Sequence, residues 1–223
     1  MTRAVKPPLP WICLITDHTL CAGGFGELER AVAAALRGGV NVVQLREKSL
    51  PAGELYELGR RLRRVTHEAG AALVVNERAD VALAIGADGV HLGEASLPVT
   101  AGRGLAGGLL LGRSVHSLAG AVEAERDGAD YLVVGTIFPS ASHPQLPAAG
   151  PHLIRKVKMH VKAPLLAIGG VTPDNAAQVI ADGASGVAVI RGILADAHPQ
   201  QAARRLVERV REAWPSAVLH RGS

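Results

Sequence analysis

Aromatic residues are scarce: Phe, Trp and Tyr together make up 3% of the 223 residues. That excludes a core built on stacked rings and leaves Ala, Val, Leu and Ile to fill the interior, as suits parallel strands buried on both faces. Cysteine is nearly absent. Cys13 and Cys21 make no disulfide framework, and neither stands at metal-ligand spacing from a histidine. A reducing, cytoplasmic setting is the expectation. Long hydrophobic runs are missing, since residues 11–15 are too short for a signal-peptide core or a membrane span. The net charge is only +4, and no basic stretch is interleaved with aromatics, so neither nucleic acid nor membrane is expected as a partner. The glycines at Gly23, Gly24 and Gly26 do not spell a dinucleotide fingerprint, and no Walker A loop occurs.

What is present is alternation. Short apolar runs at residues 11–15, 42–45, 72–75, 89–92, 108–111, 131–134, 164–168 and 187–190 read as strands. The fifth leads into the stretch 111–117. Helical patterns fall between them at 28–37, 51–69, 79–85, 97–107, 118–127, 151–159, 172–181 and 201–213. Gly38 and Gly39 stop the first helix, Thr172-Pro173 reads as a cap and first helical position, and Pro215 reads as the end of the last helix. Eight strand–helix units in a chain of this size predict an α/β fold, a single (β/α)8 TIM barrel over residues 1–223. An open doubly wound sheet is the alternative. Residues 1–10 and 216–223 read as flexible tails, and the irregular stretch 138–150 as a lid or a disordered loop.

In such a barrel the chemistry sits at the carboxyl ends of the strands. Gln44, Arg46 and Lys48 alternate and so point one way, a plausible clamp for an anionic group. A polar layer with an internal salt bridge to Glu47 or Glu77 is the other reading. Asn76 and Glu77 end the third strand; His91 and then Glu94 follow the fourth. The fifth delivers Arg113, Ser114 and His116 to a rim, where Ser117 is placed to cap the next helix. A histidine there can move a proton near neutral pH, or it is a capping or packing residue. Gly169 and Gly170 after the seventh strand, and Ile190, Arg191 and Gly192 after the eighth, lie where barrels bind phosphate through backbone N–H groups. His91 and Cys13 read as structural. Asp88 and Asp130 precede their strands and face the opposite, stability-bearing end.

Four stretches, Val43-Gln44-Leu45-Arg46-Glu47-Lys48, the run 86–93 (GADGVHLG), Gly128-Ala129-Asp130-Tyr131 and the run 167–173 (AIGGVTP), resemble the thiamin phosphate synthase superfamily over essentially the whole chain. The resemblance implies a (β/α)8 barrel, a phosphate site at Gly170 and Ile190-Arg191, and work on the thiazole half of thiamin. Two activities share that fold. The synthase joins a pyrimidine methyl pyrophosphate to a thiazole phosphate using magnesium. The TenI-like tautomerase aromatises a carboxythiazole phosphate by moving a proton, with a histidine as the implied acid/base residue.

The stretch 112–117 (GRSVHS) looks like the tautomerase, with His116 catalytic, Ser114 and Arg113 orienting the ring or its carboxylate, and no cofactor. The strand-two lysine motif looks like the synthase. Against the synthase pattern, Glu77 replaces an aspartate, Ser96 a second magnesium-binding aspartate, His143 a loop lysine and Arg191 a serine. The expectation from sequence is therefore a thiazole tautomerase. The synthase, with Glu77 on magnesium, is the first alternative, and a non-catalytic thiazole-phosphate-binding regulator the second. A phosphorylated thiazole is the expected partner, and a homo-oligomer is left open.

Overall fold

The computed structural model describes residues 6–140 and 147–219. Eight strands, β1 (Trp11–Ile15), β2 (Val42–Leu45), β3 (Ala72–Asn76), β4 (Gly89–Leu92), β5 (Leu110–Val115), β6 (Tyr131–Val134), β7 (Leu165–Ile168) and β8 (Gly186–Val189), pair in parallel in chain order, and β8 closes on β1. The helices are α1 (Gly24–Arg37), α2 (Ala52–Glu68), α3 (Ala79–Ile85), α4 (Val99–Ala106), α5 (Leu118–Arg126), α6 (His152–Lys158), α7 (Ala176–Ala181), α8 (Arg191–Leu194) and α9 (Pro199–Leu219). The expected (β/α)8 barrel is what forms.

Strand alternation divides the apolar residues into two cores. Trp11, Cys13, Ile15, Val42, Ala72, Val74, Tyr131, Val133, Leu166 and Ala188 pack together inside the barrel. The intervening residues, such as Leu14, Val43, Leu73, Val90, Leu111 and Leu132, join the helices in the larger outer core. Helix α1 shows how the helices fit it: Leu28, Ala31, Val32, Ala35 and Leu36 are buried at helical spacing along one face.

Three local expectations need correction. Helix α7 starts at Ala176 rather than Thr172, because Asn175 holds a turn there. Its Oδ1 accepts from the Thr172 N–H at 2.8 Å and its Nδ2 donates to the Gly170 carbonyl at 2.9 Å. Helix α9 runs through Pro215 to Leu219, since a proline removes one N–H donor without forbidding helical φ. Residues 216–219 of the expected tail thus belong to a helix. At the other end, residues 7–10 are tied down: Trp11 Nε1 donates to the Pro7 carbonyl at 2.8 Å and Asn41 Nδ2 to the Pro10 carbonyl at 3.1 Å.

The amino-terminal face of the barrel carries structural ion pairs. Asp88, 1% exposed, accepts from Arg63 Nη1 at 2.8 Å and from the Leu73 N–H at 2.9 Å. Asp130 does the same for Arg103 at 2.6 Å and for the Leu111 N–H at 2.8 Å. Each aspartate ties a strand to the helix that precedes it, Asp88 joining β3 to α2 and Asp130 joining β5 to α4. Removing a buried partner strands the other charge and an amide, at a cost of about 3 kcal/mol. Asp88→Ala should lower the stability measured by urea unfolding by about that amount, while anion binding by the folded fraction stays at the wild-type level.

Candidate active site

The carboxyl ends of the strands enclose a cavity of about 390 Å³. Its floor is Ile15, Val133, Ile168 and Ala188, the top of the inner core. Above that floor the inward positions change from apolar to polar. Gln44, Arg46 and Lys48 continue from β2, Asn76 and Glu77 from β3, His91 from β4, and Ser114 and His116 from β5, and all line the cavity. Gly169, Gly170, Ile190, Arg191 and Gly192 line its far side.

Arg113 is the one residue of the expected site that does not line the cavity. Ser114 and His116 point inward, so the alternation of β5 turns Arg113 outward. There it donates to the carbonyls of Leu97 (2.8 Å) and Glu94 (3.0 Å), pinning the connection between β4 and α4. The sequence reading placed the strand at 108–111, too early to apply alternation to residue 113. His91, expected to be structural, is both buried and part of the lining. Its ring lies 2.8 Å from Ser114 Oγ through Nε2 and 3.2 Å from the Tyr131 hydroxyl through Nδ1. Burial, reinforced by Arg113 and Arg46, lowers its pKa to about 3, so the ring is neutral.

The strand-two clamp is set by its surroundings. The Arg46 N–H donates to Thr16 Oγ1 at 2.9 Å. Glu47 turns outward from the barrel and meets His18, 2.7 Å from Nδ1, while accepting from the His18 N–H at 3.1 Å. The internal salt bridge to Glu47 or Glu77 does not form: among the described residues neither Arg46 nor Lys48 has a carboxylate partner. Two cations are left facing the cavity. Beside them Gln44 Nε2 donates to Asn76 Oδ1 at 3.0 Å.

On the far side the cavity is lined by backbone that could hold a second anion. Gly170 adopts φ +61°, and a Cβ there would run into the Pro139 carbonyl oxygen. Arg191 and Gly192 open α8 and so have no helical acceptor for their N–H groups. Gly192 has open space around it, the nearest atom to an added Cβ being 4.0 Å away. Sequence reasoning missed Thr136, Pro139, Ser140 and Thr172, which also belong to the lining. They come from loops, where no periodicity marks orientation. His143 lies outside the described residues.

Two carboxylates reach the cavity. Glu77, at φ +61°, lays its Oε1 2.7 Å from where a Cβ of Gly93 would be, so glycine at 93 keeps that space for the carboxylate. Glu94 lies 3.6 Å from His116 Nε2, and the Nδ1–H of His116 donates to the Gly135 carbonyl. That bond fixes the tautomer and leaves Nε2 to exchange a proton. Ser96 does not line the cavity.

Truncating either cation removes a charge-assisted contact worth roughly 1.5–3 kcal/mol. Arg46→Ala and Lys48→Ala should each weaken the binding of inorganic pyrophosphate about tenfold or more by calorimetry, with little effect on folding stability.

Residues 12–193 match the family described as Thiamine monophosphate synthase. The chain is 46% identical over 205 residues to the thiamine-phosphate synthase of Moorella thermoacetica, covering 91% of this chain and 97% of that one. It is 49% identical over 189 residues to the thiamine-phosphate synthase of Natronomonas pharaonis, covering 83% and 88% respectively. Among solved structures it is similar to thiamine phosphate pyrophosphorylase from Pyrococcus furiosus, with a TM-score of 0.83, 38% identity and coverage of 91% and 96%. The two sequence relatives bear the synthase name, and none of the three bears that of the tautomerase branch.

Proposed function

The chain belongs to the thiamine monophosphate synthase family, and on that premise we propose that it couples a pyrimidine methyl pyrophosphate to a thiazole phosphate. One observation supports this reading: the paired cations Arg46 and Lys48 line one side of the cavity, and the backbone around Gly170, Arg191 and Gly192 lines the other. Coupling brings together two anionic substrates. The carboxythiazole phosphate of the tautomerase also carries two anionic groups, a carboxylate and a phosphate, so it is the synthase name of the relatives that separates the two readings. The order of the two enzymatic readings drawn from sequence is thereby reversed.

In the reaction the thiazole nitrogen forms a bond to the methylene carbon, and the carbon–oxygen bond to pyrophosphate breaks with its electron pair leaving on oxygen. The residues needed are those that collect charge on the leaving group and hold the two partners in line. Arg46 and Lys48 hold the pyrophosphate. The Gln44–Asn76 pair, with Nε2 given to Oδ1, presents Gln44 Oε1 as acceptor and Asn76 Nδ2 as donor, the complement of an aminopyrimidine edge. Gly170, Arg191 and Gly192 hold the thiazole phosphate.

Magnesium takes one or two carboxylates together with substrate phosphates and water. The residues present fit it: Glu77, in the space kept by Gly93, and Glu94 both line the cavity and would hold the ion there. When bound, the ion would neutralise charge on the departing pyrophosphate.

A second reading, the thiazole tautomerase, is favoured by His116, which holds one tautomer and sits beside Glu94. The two are separated by His116→Asn and Glu77→Gln assayed with both substrate sets. For a synthase, Glu77→Gln should lower magnesium-dependent coupling, and His116→Asn should leave it within about threefold of wild type. For a tautomerase, His116→Asn should lower proton transfer roughly a hundred- to ten-thousand-fold, and Glu77→Gln should not matter. Wild-type protein that fails to couple at any magnesium concentration overturns the proposal.

The phosphate side has its own test. Gly192→Val places methyl groups in the open space over the cradle without striking the protein. It should raise the KM for the thiazole phosphate about tenfold or more and leave the KM for the pyrimidine substrate near its wild-type value.

A further inference from the structure

We propose that Tyr131 and His91 form a buried hydrogen-bond relay that holds the Ser114 hydroxyl as a donor aimed into the cavity, which makes both of them positioning residues for the reaction. The inference rests on the coupling reading for its kinetic consequence, though not for the relay itself.

The relay is built into the strand register. Gly112 pairs with His91 on one side and with Tyr131 on the other. In this row of three inward positions the middle one is a glycine, and a Cβ there would overlap both Tyr131 Cζ and His91 Nδ1. The absence of a side chain on β5 is therefore what lets rings from β4 and β6 reach each other across it. Their centroids lie 5.6 Å apart, and the Tyr131 hydroxyl lies 3.2 Å from His91 Nδ1. The opposite ring nitrogen meets Ser114 Oγ at 2.8 Å. Ser114 follows Gly112 by two residues on the same strand, so it stands one step closer to the substrate.

The direction of the protons follows from what each group can find. Tyr131 is buried against Trp11, whose ring nitrogen is already committed to the Pro7 carbonyl. Among the described residues the hydroxyl of Tyr131 has only His91 Nδ1 to donate to. If the imidazole carried its proton on Nδ1, the phenol proton would be buried without an acceptor. Ser114 would then have to spend its own proton on Nε2. With the phenol donating to Nδ1, the ring is protonated on Nε2 and donates to Ser114 Oγ. The serine proton is then free for an acceptor on the bound substrate.

The relay also has to be neutral, and its surroundings keep it so. Burial together with Arg113 and Arg46 disfavours the charged imidazole, and burial with Cys13 and Asp130 disfavours the phenolate. Neither ring changes charge around neutral pH, so the orientation of Ser114 does not titrate with it.

Two measurements test the proposal. The first needs no substrate: nitrogen NMR of the histidine rings in the intact protein, with His91 assigned by the signal lost in His91→Asn. We expect a neutral ring protonated on Nε2, with no titration around neutral pH. A ring protonated on Nδ1, or one that becomes charged there, overturns the relay. The second is a double-mutant cycle on the coupling reaction. Tyr131→Phe removes one oxygen and should lower kcat about tenfold, but should have less than about a twofold effect in the Ser114→Ala background. Equal losses in both backgrounds would show that Tyr131 acts on packing alone and would overturn the inference. Protein that couples nothing but shows the Nε2-protonated ring supports the relay and refutes the functional reading, so the two failures are distinguishable.

Discussion

A closed barrel of parallel strands has one place where an inward side chain escapes close packing, the carboxyl ends of its strands, and everything else in this molecule depends on that constraint. Successive residues face opposite ways, so the choice of inward positions is made once per strand and then holds to the rim. Here Val42, Val74 and Tyr131 set the inward parity low in the barrel. The same parity carries Gln44, Arg46, Asn76 and their neighbours into the cavity. The outward positions next to them do different work. Arg113 ties down a loop and Glu47 pairs with His18, and in each case a charged side chain is kept away from the substrate space.

The two faces of the barrel divide stability from function by the same logic. At the amino-terminal face, carboxylates are matched by arginines and by strand amides, as at Asp88 and Asp130. At the carboxyl face, Arg46 and Lys48 have no carboxylate partner among the described residues, and Glu77 holds its carboxylate at a backbone conformation that few side chains adopt. Charges that would stabilise one another are held apart there, a cost in folding energy that an anionic substrate can repay on binding.

How far the sequence could be read depended on periodicity. The alternation of apolar runs with helical segments was enough for the barrel, and turn residues such as Ser117, whose Oγ accepts from the Gly120 N–H, marked helix starts correctly. The placement of Gln44, Arg46 and Lys48, and of the glycines after β7 and β8, at the cavity was also legible, because each is a local run at a strand end. What failed was whatever depended on a strand boundary or on a distant partner. Arg113 was assigned to the site because β5 was ended at residue 111, short of Val115. His91 passed as structural because its link to Ser114 and Tyr131 crosses three strands. The ordering of tautomerase over synthase rested on the motif around His116 and on missing groups at Ser96 and His143. Glu94 was read at the end of the fourth strand and does line the cavity; what a comparison position by position does not see is that Arg46 and Lys48 have no carboxylate partner among the described residues.

The central claim is that two anion sites in one cavity hold the two substrates of a coupling reaction. The most direct test is a crystal structure of the protein with magnesium, inorganic pyrophosphate and thiamin phosphate. The account predicts pyrophosphate against Arg46 and Lys48, with the ion on Glu77, and the ester phosphate over Gly170 and Gly192. Both anions on the glycine side, or pyrophosphate that leaves Arg46 and Lys48 without contact, would contradict it.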